Sequence, residues 1–174
     1  LVLGSVGPLL VDRGVSLEQL AYLGGAGGAA AGLAGTALGG LLVRQAGAWR
    51  ALQAAIGLQA LLLAALAATA AAAPPAWLQA LAVLLYLALA AGFVAVYSLL
   101  MDCTSPHQAG LDFTIFQCAD ALVAVLAGVA GGWLSQRLGY GASFALAAAW
   151  TFCAVLFLFL RPARTTLTYN GVST

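Results

Sequence analysis

The sequence predicts an all-α integral membrane protein. Hydrophobic residues make up 64% of the 174 positions and charged residues only 6%, and the chain contains no lysine. The mean hydropathy is +1.04. Apolar stretches of roughly 18 residues or more recur along the chain, and this is the length at which a helix crosses the hydrocarbon of a bilayer. Membrane lipid is therefore the expected surroundings of the protein.

Breaks between the apolar stretches predict six helices. Asp12-Arg13-Gly14 closes the first one, and because Leu1 already lies in an apolar stretch, we expect an upstream segment and only a partial first helix. Ser16 and Gln19 have the spacing of a capping box and start the second helix, whereas Pro74-Pro75 ends the third. The predicted transmembrane bundle covers residues 1–161, with helices at about 1–11, 16–43, 51–73, 76–100, 108–134 and 143–160, and is followed by a polar tail at 162–174.

The arginines predict the orientation of the bundle. If successive connections alternate between the two sides of the membrane, four arginines lie on one side and two on the other. Cytoplasmic connections carry the excess of basic residues, so the C-terminal tail is expected in the cytoplasm. The four are Arg44, Arg50, Arg161 and Arg164, and the two are Arg13 and Arg137.

Charge and motifs exclude several classes of function. The net charge is +1 and the chain has no basic run, which argues against nucleic acid as a partner. The sequence contains no HExxH motif, no glycine-rich phosphate loop and no cysteine/histidine constellation with metal-ligand spacing. We therefore expect no enzyme activity, no metal and no cofactor.

An internal repeat predicts the architecture of the bundle. Gly39-Gly40-Leu41-Leu42 followed by Gly47 matches Gly131-Gly132-Trp133-Leu134 followed by Gly139, with an offset of 92 residues at every matched position. The second and fifth helices would then be equivalent, and the repeating unit would be three helices. A unit with an odd number of crossings gives two copies of opposite orientation, which is the inverted three-plus-three arrangement of secondary transporters.

Small residues recur every four positions in the second and fifth helices. They let helix backbones approach closely in a membrane. Such a face serves either static packing or the movement of helices during transport, and the sequence leaves both open. The residues are Gly24, Gly28 and Gly32, with Gly35 and Gly39 on a neighbouring stripe, and Gly128 and Gly132 in the fifth helix.

The stretch from Gly40 to Arg50 resembles the loop signature of the major facilitator superfamily, Gly-x-Leu-x-Asp-Arg-x-Gly-Arg-Arg. Val43 stands at the acidic position, and Ala48-Trp49 replaces part of the basic pair. The resemblance implies the C-terminal six-helix half of a twelve-helix transporter in the bacterial inner membrane, with helix seven partial. Such a protein moves a small solute by alternating access, and its partner would be the absent N-terminal six-helix half.

A second stretch is similar to the siderophore-permease branch of that superfamily. Met101-Asp102 and the segment from Ala109 to Gln117 carry the similarity, with departures at Leu111 and Ile115-Phe116. The branch imports ferric rhizobactin or pyochelin, so the resemblance implies ferric-siderophore uptake. Muropeptide permeases carry a related segment, and a drug or metabolite exporter of the superfamily is another alternative. A non-transporting helical assembly partner is the alternative of a different class.

Asp120 is the main candidate for a functional residue. It follows Gln108 by 12 residues, or about 18 Å of helix, and therefore lies near the middle of the membrane. A carboxylate at this depth either belongs to a solute or proton path or hydrogen-bonds a neighbouring helix. Helical spacing places Phe113 and Gln117 on the same face as Asp120. The predicted substrate and proton pathway consists of Asp120, Gln117, Phe113, Phe116 and Tyr97, although Tyr97 also suits an interfacial anchor.

Charged residues at the connections predict a cytoplasmic gate. Asp102 and Asp112 flank the connection that contains His107, and they fall on the same side of the membrane as Arg44 and Arg50. Ion pairs between these aspartates and arginines would close that side of the transporter. The alternative is a solvated connection with helix-capping aspartates. For His107 we favour solvation over a proton relay.

Overall fold

The computed structural model describes residues 3–104 and 108–160, and in this part of the chain every regular element is helical. The predicted tail at 162–174, His107, Arg161 and Arg164 lie outside the described residues. The elements are α1 (Leu3–Asp12), α2 (Leu17–Tyr22), a π-helical turn (Leu23–Gly27), α3 (Gly28–Ala46), α4 (Ala48–Thr69), α5 (Pro75–Cys103) and α6 (Ala109–Leu160).

The second helix begins at its predicted capping signal and ends three residues beyond the predicted residue 43. The Ser16 hydroxyl accepts a hydrogen bond from the Gln19 backbone N–H at 3.2 Å, which caps the helix start. From Leu17 to Ala46, α2, the π-helical turn and α3 form one helix of 30 residues. It ends at Gly47, which has φ 86° and ψ 155°. A positive φ strains residues with a Cβ, so glycine is suited to this break between α3 and α4.

The connection predicted between the fifth and sixth helices is almost absent. Residues 135–142 are helical except at Gly139, which has φ 80° and ψ 165° and breaks α6 into two stretches. A single glycine is sufficient because its positive φ redirects the chain without an intervening loop. The third helix ends at Thr69, earlier than the expected residue 73, and Pro75 occupies the first turn of α5.

Four helices of the described chain are long and apolar enough to cross a membrane: Leu17–Ala46, Ala48–Thr69, Pro75–Cys103 and Gly110–Leu160. The last of these has 51 residues, which exceeds the roughly 20 residues that one crossing needs. The prediction of an all-α membrane protein is confirmed.

The hydrophobic core lies where α1, α4, α5 and the end of α6 meet. Leu10 and Leu66 are completely buried there, and Phe144, directly after the Gly139 break, is buried beside them. A smaller cluster around Ala51, Leu52 and Ala95 closes the opposite end of the α4–α5 contact. The core therefore centres on α4 and α5.

Helices α3 and α5 approach each other at two glycines. A Cβ at Gly35 would collide with the Leu87 carbonyl oxygen, and one at Gly39 would lie 2.8 Å from the Ala91 Cα. Close packing therefore uses the stripe that neighbours the predicted one. A Cβ at Gly24, Gly32, Gly128 or Gly132 would meet nothing within 4 Å, and one at Gly28 would approach only the Leu23 carbonyl of the preceding turn. Within the described chain a Cβ at these five positions would thus meet no neighbouring helix, and the packing role of the five glycines stays a prediction.

Hydrogen bonds show which helix ends lie together. The Tyr140 hydroxyl donates to the Asp12 carboxylate at 2.6 Å, and the Arg13 guanidinium donates to the Ala70 carbonyl. The ends of α1 and α4 and the Gly139 break are therefore on one side. At the other side, Gln53 on α4 donates to the Leu158 carbonyl at 3.0 Å.

Candidate functional site

Two aromatic rings and an amide meet where α5 faces the first part of α6. The Tyr97 hydroxyl donates a hydrogen bond to Oε1 of Gln117 at 2.8 Å. The Tyr97 ring stacks on Phe93 at 6.0 Å between centroids, with an interplanar angle of 16°. It also packs against Phe113, at 6.0 Å between centroids and 46° between ring planes. We call Phe93, Tyr97 and Phe113 the ring ladder.

Helical spacing explains why these side chains meet. Phe93 and Tyr97 are four residues apart on α5, and Phe113 and Gln117 are four apart on α6, so each pair lies on one helix face. One such pair from each helix forms the site. The structure therefore brings together three residues of the predicted pathway, Tyr97, Phe113 and Gln117.

The ring ladder lies open at the surface of the chain. Phe93 is 47% exposed, Gln117 is exposed, and Tyr97 and Phe113 are half-buried. Flat aromatic faces and a carboxamide are thus accessible together. This arrangement can stack a planar group and hydrogen-bond it at the same time.

Asp120 lies three residues beyond Gln117 on the same helix and is exposed. Because residues three apart share a helix face, its carboxylate continues the polar edge that begins at Gln117. Phe116 is also exposed but is not part of the ring ladder. The roles of Asp120 and Phe116 stay predictions.

The predicted gate residues lie at one end of the helix bundle. Arg44 is in the last turn of α3, Arg50 in the first turn of α4, Asp102 in the last turn of α5 and Asp112 in the first turn of α6. The first three are exposed and Asp112 is half-buried. The structure therefore places all four on the same side, and their pairing stays a prediction.

Sequence reasoning missed two polar groups on the opposite side of the bundle. One lines a groove of about 370 Å³ beside the π-helical turn and contains Gln19, Tyr22 and Gln79. The other is the contact of Asp12 with Tyr140. The five-residue segment Leu23–Gly27, with three glycines, was a signal for an irregular helix turn, because glycine is the weakest helix former after proline.

The described residues contain no group of three or more His, Cys, Asp or Glu side chains that could hold a metal ion. The chemistry of this part of the chain is therefore that of aromatic faces, amides and single carboxylates. Several helices of membrane-spanning length and apolar composition are typical of a multi-pass membrane protein.

The sequence model of the Major Facilitator Superfamily matches residues 1–172, and the chain belongs to that superfamily. The protein is thus a secondary transporter in general terms, and transport rather than enzyme activity is the function of its family. Searches of the curated proteins and of the solved structures gave no match. Gly47, in the stretch that resembles the superfamily signature, is the residue that breaks the chain between α3 and α4.

Proposed function

We propose that this chain is the C-terminal six-helix half of a secondary active transporter of the bacterial inner membrane, which moves a small solute by alternating access. Membership of the superfamily supports transport in general. The observation that carries the proposal is the hydrogen bond between Tyr97 and Gln117, with Asp120 on the same face. This polar edge lies on helices that are long and apolar enough to cross a membrane.

The polar edge also supports a partner for the first part of α6. Most of this stretch is exposed, with Leu122 at 61%, Leu126 at 60% and Val129 at 70%. Exposed leucine and valine suit lipid, but Gln117 and Asp120 on the same helix do not, because ionisable side chains in a membrane face protein or water. An N-terminal six-helix half, opposite this face, would enclose the path.

The two glycine breaks support the inverted three-plus-three arrangement. Gly47 has φ 86° and ψ 155°, and Gly139 has φ 80° and ψ 165°. These residues occupy matching positions of the sequence repeat and have nearly the same backbone conformation. Three-helix units related in this way would cross the membrane in opposite directions.

The proposed orientation puts the C-terminus in the cytoplasm. Arg44 and Arg50 lie at the end where α3 meets α4, whereas Arg13 lies at the opposite end, near Ala70. The sequence prediction assigns Arg161 and Arg164, which lie outside the described residues, to the side of Arg44, and the resulting excess of basic residues is typical of a cytoplasmic face.

Proton-coupled uptake of a ferric siderophore is the substrate proposal. It is supported by the resemblance of the stretch from Met101 to Gln117 to the siderophore-permease branch and by the ring ladder, which suits an aromatic chelate. Asp120 is the carboxylate placed to carry the proton, since intramembrane carboxylates form proton relays in transporters. A muropeptide permease and a drug or metabolite exporter share the family match and are the alternatives.

Uptake of radiolabelled ferric siderophores tests the proposal. The host would be iron-starved cells that lack their own inner-membrane importers and express the complete parent gene. Uptake of one chelate that collapses with a protonophore supports a proton-coupled importer. No uptake of any chelate, with the protein present in the membrane, contradicts siderophore import and favours muropeptide import or drug export.

Replacement of the carboxylate tests the coupling. Asp120→Asn is expected to abolish or uncouple uptake while membrane abundance stays normal. Asp12→Asn is the matched control, because the new amide oxygen can still accept the hydrogen bond from Tyr140. Uptake by Asp120→Asn that still depends on pH would exclude Asp120 as the coupling group.

The sequence of the complete gene also distinguishes a transporter from the alternative of a different class, a non-transporting assembly partner. An upstream segment that encodes a second six-helix unit favours a transporter. A short native start, combined with no transport of any solute, favours a non-transporting helical assembly partner.

A further inference from the structure

We infer that Tyr97 is a positioning residue: its hydroxyl holds the Gln117 carboxamide so that the NH₂ group is presented to a solute that combines a planar ring with an acceptor oxygen. The inference rests on the proposed transport function and adds to it the chemistry of the solute. It depends on the juxtaposition of the ring ladder and Gln117 between α5 and α6.

The hydrogen bond shows which end of the amide faces Tyr97. The Tyr97 hydroxyl donates to Oε1 of Gln117 at 2.8 Å. A carboxamide has an acceptor oxygen on one side and two N–H donors on the other. With its oxygen on the phenol, the amide has both N–H donors left for another group, and Gln117 is exposed. Rotation of the amide by half a turn would replace this hydrogen bond with one from the amide N–H to the phenol oxygen, and the amide would then offer its acceptor oxygen instead of its donors.

The phenol itself is held by its neighbours. The Tyr97 ring is in contact with Phe93 on its own helix and with Phe113 on α6. Movement of the ring away from Gln117 would break the near-parallel stack with Phe93, whose interplanar angle is 16°. The position of the hydroxyl is therefore set by two ring contacts, and the hydroxyl in turn holds the amide.

These contacts specify the class of solute. Aromatic faces favour a planar, apolar group, because ring stacking adds to the burial of apolar surface. The amide N–H groups beside them require an acceptor such as a carbonyl, carboxylate or phenolate oxygen. Once the proposed N-terminal half encloses the site, a solute that lacks the acceptor would leave the donors without a partner, and such a mismatch disfavours binding strongly.

Transport kinetics of the complete parent protein test the inference, with ferric pyochelin as an aromatic probe and ferric rhizobactin as a non-aromatic one. Tyr97→Phe removes one oxygen atom and keeps the ring. We expect an increase in KM for the aromatic probe of about tenfold, as for the loss of one hydrogen bond, with an unchanged maximal rate and unchanged membrane abundance. Tyr86→Phe removes the same atom from another tyrosine of α5 and should leave KM unchanged.

Two variants of Gln117 separate the hydrogen bonds that its side chain donates from those that it accepts. Gln117→Glu keeps an oxygen for the Tyr97 hydroxyl but has no N–H donor, and Gln117→Leu has neither. Both should raise KM for the aromatic probe by a similar factor. The double variant Tyr97→Phe/Gln117→Leu should be no worse than Gln117→Leu alone, because Tyr97 acts through Gln117. Wild-type KM in Gln117→Glu, or additive effects in the double variant, would overturn the inference.

A spectroscopic measurement tests the positioning without transport. The side-chain amide signal of Gln117 can be assigned in ¹⁵N-glutamine-labelled protein in nanodiscs, because it disappears in Gln117→Leu. Tyr97→Phe should shift or broaden this signal, and Tyr86→Phe should not; an unchanged signal in Tyr97→Phe overturns the positioning role. A shifted signal without uptake of either probe by the unmodified protein would instead refute siderophore import, while the positioning of Gln117 by Tyr97 would stand.

Discussion

Helix α3 and the first part of α6 occupy matching positions of the sequence repeat but have different surroundings. Both are rich in small residues, and both end at a glycine of positive φ, Gly47 and Gly139. In α3 the glycines Gly35 and Gly39 lie against the backbone of α5. In α6 the corresponding stretch, residues 110–138, is exposed along most of its length.

The difference shows that a stripe of small residues permits close packing but does not produce it. Gly132 matches Gly40 in the sequence repeat, and a Cβ at either position would find open space. Packing instead uses Gly39, one position away, because that residue faces Ala91 on α5. The position of the partner helix, and thus the tertiary structure, determines which glycine packs closely.

The largest expected effect comes from filling the α3–α5 contact. Gly39→Leu would force a side chain into a space where a Cβ already lies 2.8 Å from the Ala91 Cα. We expect a loss of about 3 kcal/mol, as for severe overpacking, seen as low membrane abundance and a lower midpoint of thermal unfolding in detergent. Gly132→Leu, in the exposed stretch, should have little effect on membrane abundance or on the midpoint of thermal unfolding. Equal losses in both variants would remove the distinction between the two regions.

The next largest effect is expected from a cavity in the core. Leu66 is 0% exposed, whereas Leu126 in the exposed stretch is 60% exposed. Leu66→Ala should destabilise the protein by about 2 kcal/mol, the low end of the usual range, because lipid is as apolar as leucine and the cavity supplies most of the cost. Leu126→Ala should change stability by much less. Denaturation in mixed micelles would measure both, and a cost at Leu126 close to that at Leu66 would indicate that residues 110–138 are packed.

Substitution of alanine at the two glycine breaks should lower the stability of the protein by similar amounts. Gly47→Ala and Gly139→Ala each place a Cβ on a residue with φ near +80°, at 86° and 80° respectively. We expect each to cost about 1 kcal/mol, because a Cβ is strained in this region of backbone space. Thermal unfolding of the two variants, with Gly57→Ala in α4 as a control at an open helical position, checks the expectation. A cost at only one of the two breaks would weaken the equivalence that the repeat predicts.

The smallest effect is expected from the hydroxyl pair between α1 and the exposed stretch. The hydroxyl oxygens of Ser5 and Ser135 are 2.6 Å apart, and Ser5 is buried. Ser5→Ala should cost about 0.6 kcal/mol, the average for side-chain hydrogen bonds between membrane helices. A double-mutant cycle with Ser135→Ala isolates the pair, and a coupling energy of zero would mean that this contact does not hold the stretch to α1.

Several features of the molecule could be predicted from sequence because they depend on neighbouring residues. Ser16 and Gln19 predicted the helix start that the structure confirms. The superfamily that the stretch from Gly40 to Arg50 resembles is confirmed by the family match over residues 1–172. The siderophore branch stays a prediction. The eight-residue connection expected around Gly139 was wrong, because helix propensity on both sides extends each helix up to the glycine.

The sequence by itself determined that the protein lies in a membrane, that it is helical and which superfamily it belongs to. Hydropathy, helix capping and motif residues act over short stretches of the chain, so they can be recognised without the fold. Only the tertiary structure decided that Gly35 and Gly39 carry the close packing and that Tyr97 bonds Gln117. Such contacts depend on the rotation and the spacing of two helices, which are set by all of their other contacts together. A helical pattern shows which residues share a face, but the opposing helix determines what that face touches.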